Sequence, residues 1–211
     1  MEMIKNLVLD ADNVIFKKIS PAIIDWLVEK SNKPLDKVKS TREKYWALTK
    51  VGELTEEENW LGAKHKEGYE LGVFGELGIL SNKYLGFLDW IKSSYKLYGG
   101  CLDFLKKLKT MDVNLYLFSN SSFETIERAY IQFNLNKYFN GVFFSHKMAA
   151  AKPNIKAFEI LIKETKLSPK KTIFVDDKEK NINAAKELGF NTYLFKNKDD
   201  FGKILVRLNG K

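Results

Sequence analysis

Apolar and polar positions alternate along this chain in two rhythms. Short continuous apolar runs at 4–9, 113–118, 142–144, 172–175 and 191–195 read as strands buried on both faces. Between them the spacing changes to the helical period. Ile126, Ala129, Tyr130 and Phe133 share one face of a helix predicted over 122–133. Pro153 opens a second, with Ile155, Phe158, Leu161, Ile162 and Thr165 on one side, and 178–188 carries Ile182, Ala185 and Leu188 before Gly189 ends it. Strand–helix–strand alternation of this kind predicts an α/β fold with a parallel sheet and right-handed crossovers.

The rhythm breaks between the first and second strands, where roughly ninety residues show helical signals and no convincing strand, far more than a crossover needs. Ser20-Pro21 reads as an N-cap with proline at the first helical position, leading into Ile23, Ile24, Leu27 and Val28. Thr55 with Glu58 is a capping box ahead of Trp60 and Leu61. The expected organisation is a core of residues 1–16 and 96–211 and a helical insertion of 17–95. Gly99-Gly100 reads either as a hinge on the return or as a tight turn, before a helix carrying Leu102, Leu105 and Leu108.

Composition narrows the class. Across 211 residues, 45% hydrophobic and 29% charged with four prolines describe a folded chain and exclude disorder and collagen-like repeats. A single cysteine, Cys101, excludes an internal disulfide or a cysteine metal knuckle and points to a reducing compartment. The start lacks the pattern of a signal peptide, and no stretch approaches the roughly 20 apolar residues of a membrane span, so the cytoplasm is the expected location. The net charge of +8 fits a nucleic-acid partner or small anions. Three arginines against 32 lysines, with no zinc-finger spacing or aromatic RNA-binding signature, argue against the first. The excess of base lies in 96–211, with 21 basic and 12 acidic residues.

The candidate chemistry sits after the apolar runs. Asp10 and Asp12 follow the first, two apart and so on one face of an extended chain, where they repel unless a cation is present or one is protonated. Both could instead cap a following helix. Asp176-Asp177 repeats the design after the run TIFV, and four carboxylates at the carboxyl edge of one sheet suit a hard cation such as magnesium. Ser119-Asn120 follows YLF at the start of a helix, a position that favours phosphate, although Ser119, Asn120, Ser121 and Ser122 all compete as an ordinary N-cap. Lys152, before Pro153, could balance these charges or be a solvated lysine.

Taken in order, LVLDADNVIF, LYLFSNSS, AAAKPNIKAF and IFVDDKEKNINAA resemble the four motifs of the haloacid dehalogenase (HAD) superfamily, in the branch of phosphatases with a helical cap inserted after the first strand. The resemblance spans nearly the whole chain; Asn13 stands where many members have glycine, a substitution a tight turn tolerates. It implies a Rossmann-like core with Asp10 as nucleophile through a phospho-aspartyl intermediate and Asp12 as general acid and base. It further implies Mg²⁺ held by Asp10, the backbone carbonyl of Asp12 and Asp177, with Asp176 as a direct or water-mediated ligand. Ser119 and the backbone of Asn120 would bind phosphate, and Lys152 would stabilise both nucleophile and transferring group. Asp12 argues against dehalogenation, which does without it. The expected activity is hydrolysis of a small phosphomonoester beneath the cap, by a monomer or homodimer with no membrane or nucleic-acid partner. A phosphomutase and a non-catalytic phosphate or nucleic-acid binder are the alternatives. Arg42, Lys44, Tyr45, Trp46, Trp60, Lys64 and His65 are candidates for substrate recognition, with His146 beside the cleft, against the plainer readings of core aromatics, solvated lysines and structural histidines.

Overall fold

The computed structural model describes residues 3–65, 68–120 and 124–209. Strand β1 (Asn6–Leu9) leads into an insertion of helices α1 (Ser20–Ser31), α2 (Leu35–Thr49) and α3 (Glu56–Leu61), a hairpin β2 (Gly62–His65) and β3 (Gly68–Leu71), then α4 (Val73–Leu77) and α5 (Tyr84–Ser94). The chain returns through α6 (Cys101–Lys109) to β4 (Asn114–Ser119), α7 (Glu124–Gln132), β5 (Gly141–Phe144), α8 (Ser145–Met148) and α9 (Ile155–Thr165). It closes with β6 (Thr172–Asp176), α10 (Glu179–Glu187), β7 (Asn191–Leu194) and α11 (Asp200–Leu208).

The five core strands are parallel in the order β5-β4-β1-β6-β7. Their alternation explains why β1 reads as a continuous apolar run: Leu7 and Leu9 pack into one hydrophobic cluster, while Val8 joins Phe118, Phe158 and Phe174 on the other face. The strand order reverses direction at β1, with β4 on one side and β6 on the other. A crevice therefore forms outside the carboxyl ends of β1 and β6, where an open α/β sheet takes its ligand.

The insertion is attached by paired backbone: Lys17 N–H donates to Lys96 carbonyl and Tyr98 N–H to Ile15 carbonyl, both at 2.8 Å. Gly100, at φ 82°, makes the turn into α6, so the glycine pair serves as a turn beyond this ladder. Inside the insertion, Trp26 and Trp60 lie 4.5 and 4.6 Å from the Phe87 ring, an aromatic group that is continuous with the hydrophobic cluster on one face of the sheet.

Most expected elements form, with differences that have physical causes. The insertion holds a hairpin among its helices, because GAKH and GYEL lack an apolar run yet pair through their backbones. Gly72 lets the hairpin fold back: a Cβ there would lie 2.4 Å from Gly62 N. Helix α1 starts at Ser20 with Ile19 at the N-cap position, and α9 starts after Pro153, capped by Asn154 accepting from Lys156 N–H. On α6 the buried face is Cys101, Phe104, Leu105 and Leu108, while Leu102 is exposed. Helix α11, unmarked by the strand–helix rhythm, stacks Phe201 on Phe104 at 4.6 Å. No described helix is long and apolar enough to cross a membrane.

Asp200 anchors that last helix. Its carboxylate accepts from Lys196 N–H at 2.7 Å, Asn197 N–H at 3.1 Å, and Tyr193 OH and Lys203 Nζ at 2.9 Å. Burial works to raise its pKa, but these donors outweigh burial and bring it from 3.8 to about 2. A depressed carboxylate stabilises the fold above its unfolded pKa and loses that contribution as pH falls through the folded value. Asp200→Asn is expected to lower stability by about 2 kcal/mol near pH 7, the gap closing between about pH 4 and pH 2. Urea melts across that range measure it; a gap unchanged at the acid end contradicts the assignment.

Candidate active site

Four loops leave the carboxyl edge of the sheet and bring the sequence-selected polar residues to one place. Asp10 follows β1, Ser119 ends β4, Lys152 lies between α8 and α9, and Asp176 ends β6. All four are buried, and the Asp176 and Lys152 side chains are fully so. The Lys152 ammonium is the junction: Nζ donates to Asp10 Oδ1 at 2.8 Å, to Asp176 Oδ2 at 2.7 Å and to the Phe118 carbonyl at 2.6 Å. Three donors meet three acceptors, which satisfies the group completely. Asn120 holds the lysine's backbone, its amide donating to Lys152 carbonyl at 2.6 Å and its oxygen accepting from Lys152 N–H at 2.8 Å. The Asn120 side chain is thereby committed to positioning Lys152.

Oxygens of Asp10, Asp176 and Asp177 lie within 4.8 Å of one another. The two neighbours at the end of β6, Asp176 and Asp177, differ in what they have left to offer. Asp176 accepts from Lys152, from Lys178 N–H at 2.9 Å and from Asn181 Nδ2 at 2.9 Å on both oxygens. Asp177 accepts from Asn13 Nδ2 at 3.2 Å on Oδ2, while its Oδ1 is buried with no hydrogen-bond partner. A buried carboxylate oxygen without a donor, beside two further carboxylates, fits a small oxygen-seeking divalent cation. Asp12, two residues beyond Asp10, is outside this acidic cluster as a side chain but lines the same cavity.

Burial dominates the electrostatics. It raises the Asp10 carboxyl to about 7, with Lys152 pulling down and Asp176 pushing up. Burial also raises Asp12, against the pull of Lys178 and with help from Asp177. The same burial opposes the charge on Lys152, but Asp10 and Asp176 outweigh it and hold the ammonium above its usual pKa.

A cavity of about 440 Å³ extends from Asp10, Asp12, Ser119, Asn120 and Lys152 to the insertion. Its far wall holds Arg42, Trp46 and Trp60, with the guanidinium 4.8 Å from one indole and 4.9 Å from the other. Burial lowers the Arg42 pKa to about 10, against the charges of Tyr95 and Glu56. Lys44 and Tyr45 are elsewhere: both meet Glu76, at 2.5 and 2.8 Å, and the single O–H of Tyr45 is shared between Glu76 and the Leu71 carbonyl. His146 lies 3.5 Å from Glu127 and stacks on Phe144, outside the cavity wall. The side chains of Lys64 and His65, and residues Ser121 and Ser122, lie outside the described residues.

Two features escaped the sequence reading. Asn181, five residues after Asp176, reaches back from α10 to the strand end, a spacing that could have flagged it. Lys18, Lys178 and Lys180 line the cavity and had no marker among 32 lysines.

Removing the junction exposes its energetics. Lys152→Met leaves two buried carboxylates facing each other and is expected to cost about 3–5 kcal/mol. Adding Asp176→Asn should recover part of that loss, because the two changes share one interaction. Denaturant titration of the single and double variants checks this; additive losses would contradict the coupling.

Comparison with known proteins follows the same lines. The pattern of haloacid dehalogenase-like hydrolases matches residues 4–189. A D-ribitol-5-phosphate phosphatase of Bacteroides thetaiotaomicron is 36% identical over 72 residues, 34% of this chain and 35% of that protein. The sesquiterpene phosphatase astK of Aspergillus oryzae is 29% identical over 109 residues, 47% of this chain and 54% of its own. The chain thus spans only about a third to a half of the length of these relatives. The magnesium complex of a HAD family enzyme from Bacteroides thetaiotaomicron superimposes with a TM-score of 0.73 at 24% identity, over 97% of this chain and 99% of that one. With the family pattern running through all four strand-end motifs, the chain belongs to the haloacid dehalogenase-like hydrolases.

Proposed function

We propose that this chain is a Mg²⁺-dependent phosphatase that hydrolyses a small phosphomonoester through a phospho-aspartyl intermediate on Asp10. The observation that carries the reading is the Asp10 carboxylate, buried at the end of β1 against the Lys152 ammonium at 2.8 Å and lining one cavity with Asp12 and Ser119. In this reading an Asp10 oxygen attacks phosphorus and the bond to the leaving oxygen breaks. Asp12 gives that oxygen its proton, a role served by the upward shift that burial imposes on it. A water then enters, Asp12 takes its proton, and attack on phosphorus releases inorganic phosphate and restores Asp10.

Ser119 and the Asn120 backbone N–H donate to the phosphoryl oxygens, and Lys152 stabilises charge on both the nucleophile and the transferring group. Bound by Asp10, Asp177 and the Asp12 backbone carbonyl, with Asp176 beside them, the metal supplies the charge neutralisation that lets one anion attack another. Asp176 serves chiefly by fixing Lys152. Residues 17–95 act as a cap over a cavity of about 440 Å³, a size suited to small metabolites rather than polymers. The phosphatase names of two relatives and the magnesium complex of a structural neighbour support the class of reaction.

The test is release of inorganic phosphate from a panel of sugar and polyol phosphates, nucleotides and prenyl phosphates, with and without Mg²⁺. Release should stop on chelation and fall by at least ~10³-fold in Asp10→Asn. Full turnover by Asp10→Asn would sink the nucleophile, and an isomerised phosphate ester without free phosphate would identify a mutase.

A further inference from the structure

We propose that Asn13 is a positioning residue for the metal site, orienting Asp177 so that its open oxygen faces the cation; this rests on the Mg²⁺ reading above. Three observations converge on it. Asn13 sits at φ 63°, in the left-handed region that glycine occupies freely and asparagine tolerates. Its backbone is held there independently of its side chain, by Asn13 N–H donating to the Phe16 carbonyl at 2.8 Å and by the bridge between Asp12 and Phe16. The side chain, aimed by that turn, crosses from the β1 loop to the β6 loop and donates Nδ2 to Asp177 Oδ2 at 3.2 Å.

The consequence lies in the other oxygen. Asp177 Oδ1 is buried without a hydrogen-bond partner, and Asp177 belongs to the three-carboxylate cluster with Asp10 and Asp176. A carboxylate rotates about its last bond unless something holds it. Asp176 is held by Lys152, Asn181 and the Lys178 N–H, whereas among the described residues the amide of Asn13 is the donor that fixes Asp177. One oxygen taken by a neutral amide leaves the full charge of the carboxylate on offer to a cation, and the rotation that would waste it is blocked. Partners of this kind behind a metal ligand typically carry a factor of 10 to 100 in metal affinity. The device also ties the loop that bears Asp10 and Asp12 to the loop that bears Asp177, so the two halves of the site share one orientation.

The left-handed turn supplies a clean test. Asn13→Gly deletes the donor and keeps the turn, because glycine adopts φ 63° without strain; Asn13→Ala deletes the donor and strains the turn. Calorimetric titration of Mg²⁺, and of Mn²⁺ followed by its spin resonance, is run on the wild type and both variants, with thermal melting as the control for folding. The expected result is a melting temperature for Asn13→Gly close to wild type and a dissociation constant for both cations raised about 10- to 100-fold. Wild-type affinity in Asn13→Gly, with weakening confined to Asn13→Ala, would overturn the proposal and assign the residue to the turn alone. In the unaltered protein, the Asn13 side-chain amide resonances should shift on Mg²⁺ addition with the same dissociation constant as the bulk titration. Resonances that stay still at saturation would also overturn it. A wild type that takes up neither cation and releases no phosphate would instead remove the Mg²⁺ phosphatase reading, a failure distinct from a wild type that binds and an Asn13→Gly that binds equally well.

Discussion

The site depends on one ammonium group held between two buried carboxylates. Asp10 and Asp176 come from neighbouring strands of a sheet with no room to separate them, and repulsion in a medium of low dielectric would force one of them to take up a proton. Lys152 Nζ, within 2.8 Å of both, reduces that conflict and gives its third donor to the Phe118 carbonyl. It also lies 4.9 Å from the Phe118 ring and 5.3 Å from that of Phe174, which exclude water from the junction. Each group is buried because the other two are present. The Asn120 clamp on the Lys152 backbone completes the device, so the strand ends of β1, β4 and β6 are registered by polar contacts as well as by the sheet.

This arrangement differentiates four carboxylates that look alike in sequence. Asp176 has its oxygens engaged by Lys152, Lys178 N–H and Asn181 and serves as structure. Asp177, one residue beyond the strand, is held by Asn13 on one oxygen and keeps the other open. Asp10 touches the lysine with one oxygen, and Asp12 stands apart on the cavity wall with its acid form favoured by burial. On the proposed reading these are a brace, a metal ligand, a nucleophile and a proton carrier. Their division of labour follows from which donors each one meets.

Much of this was legible in the sequence, for a physical reason. A strand buried on both faces must be apolar throughout, so β1 and β6 stand out as LVL and TIFV, and a carboxylate directly after such a run has no packing role to explain it. The hairpin of β2 and β3 was not legible, because its pairing is carried by backbone and by Gly72, whose close approach leaves no hydrophobic trace. Leu102 and Cys101 show the limit of periodicity: both are apolar and adjacent, and only the packed helix decides which faces inward. The clamp of the Asn120 side chain on Lys152 was not legible, because a side chain reaching 32 residues along the chain to hold a lysine's backbone has no local signature. The hydrogen bonds that position the site are long-range, and long-range partners are what a pattern of neighbours cannot contain.

On the proposed reading, chemistry and selectivity are drawn from different parts of the chain. The wall bearing Asp10, Asp12, Ser119 and Lys152 is made of strand ends and the loops at the carboxyl edge of the sheet, whose positions are set by the sheet. The opposite wall includes α2 and α3, where Arg42 lies over both Trp46 and Trp60, and the aromatic rings around Phe87 continue the hydrophobic cluster that also holds Leu7 and Leu9 of β1. Substitutions on α2 alter the far wall, which faces the Lys152 junction across the cavity, while the insertion joins the core through the paired backbone of 15–17 and 96–98. A guanidinium stacked on two indoles has lost its freedom to reorient before any ligand arrives, so the entropy of ordering it is not charged to binding. That is the property required of a residue that discriminates among small molecules while the reacting end of the cavity stays the same.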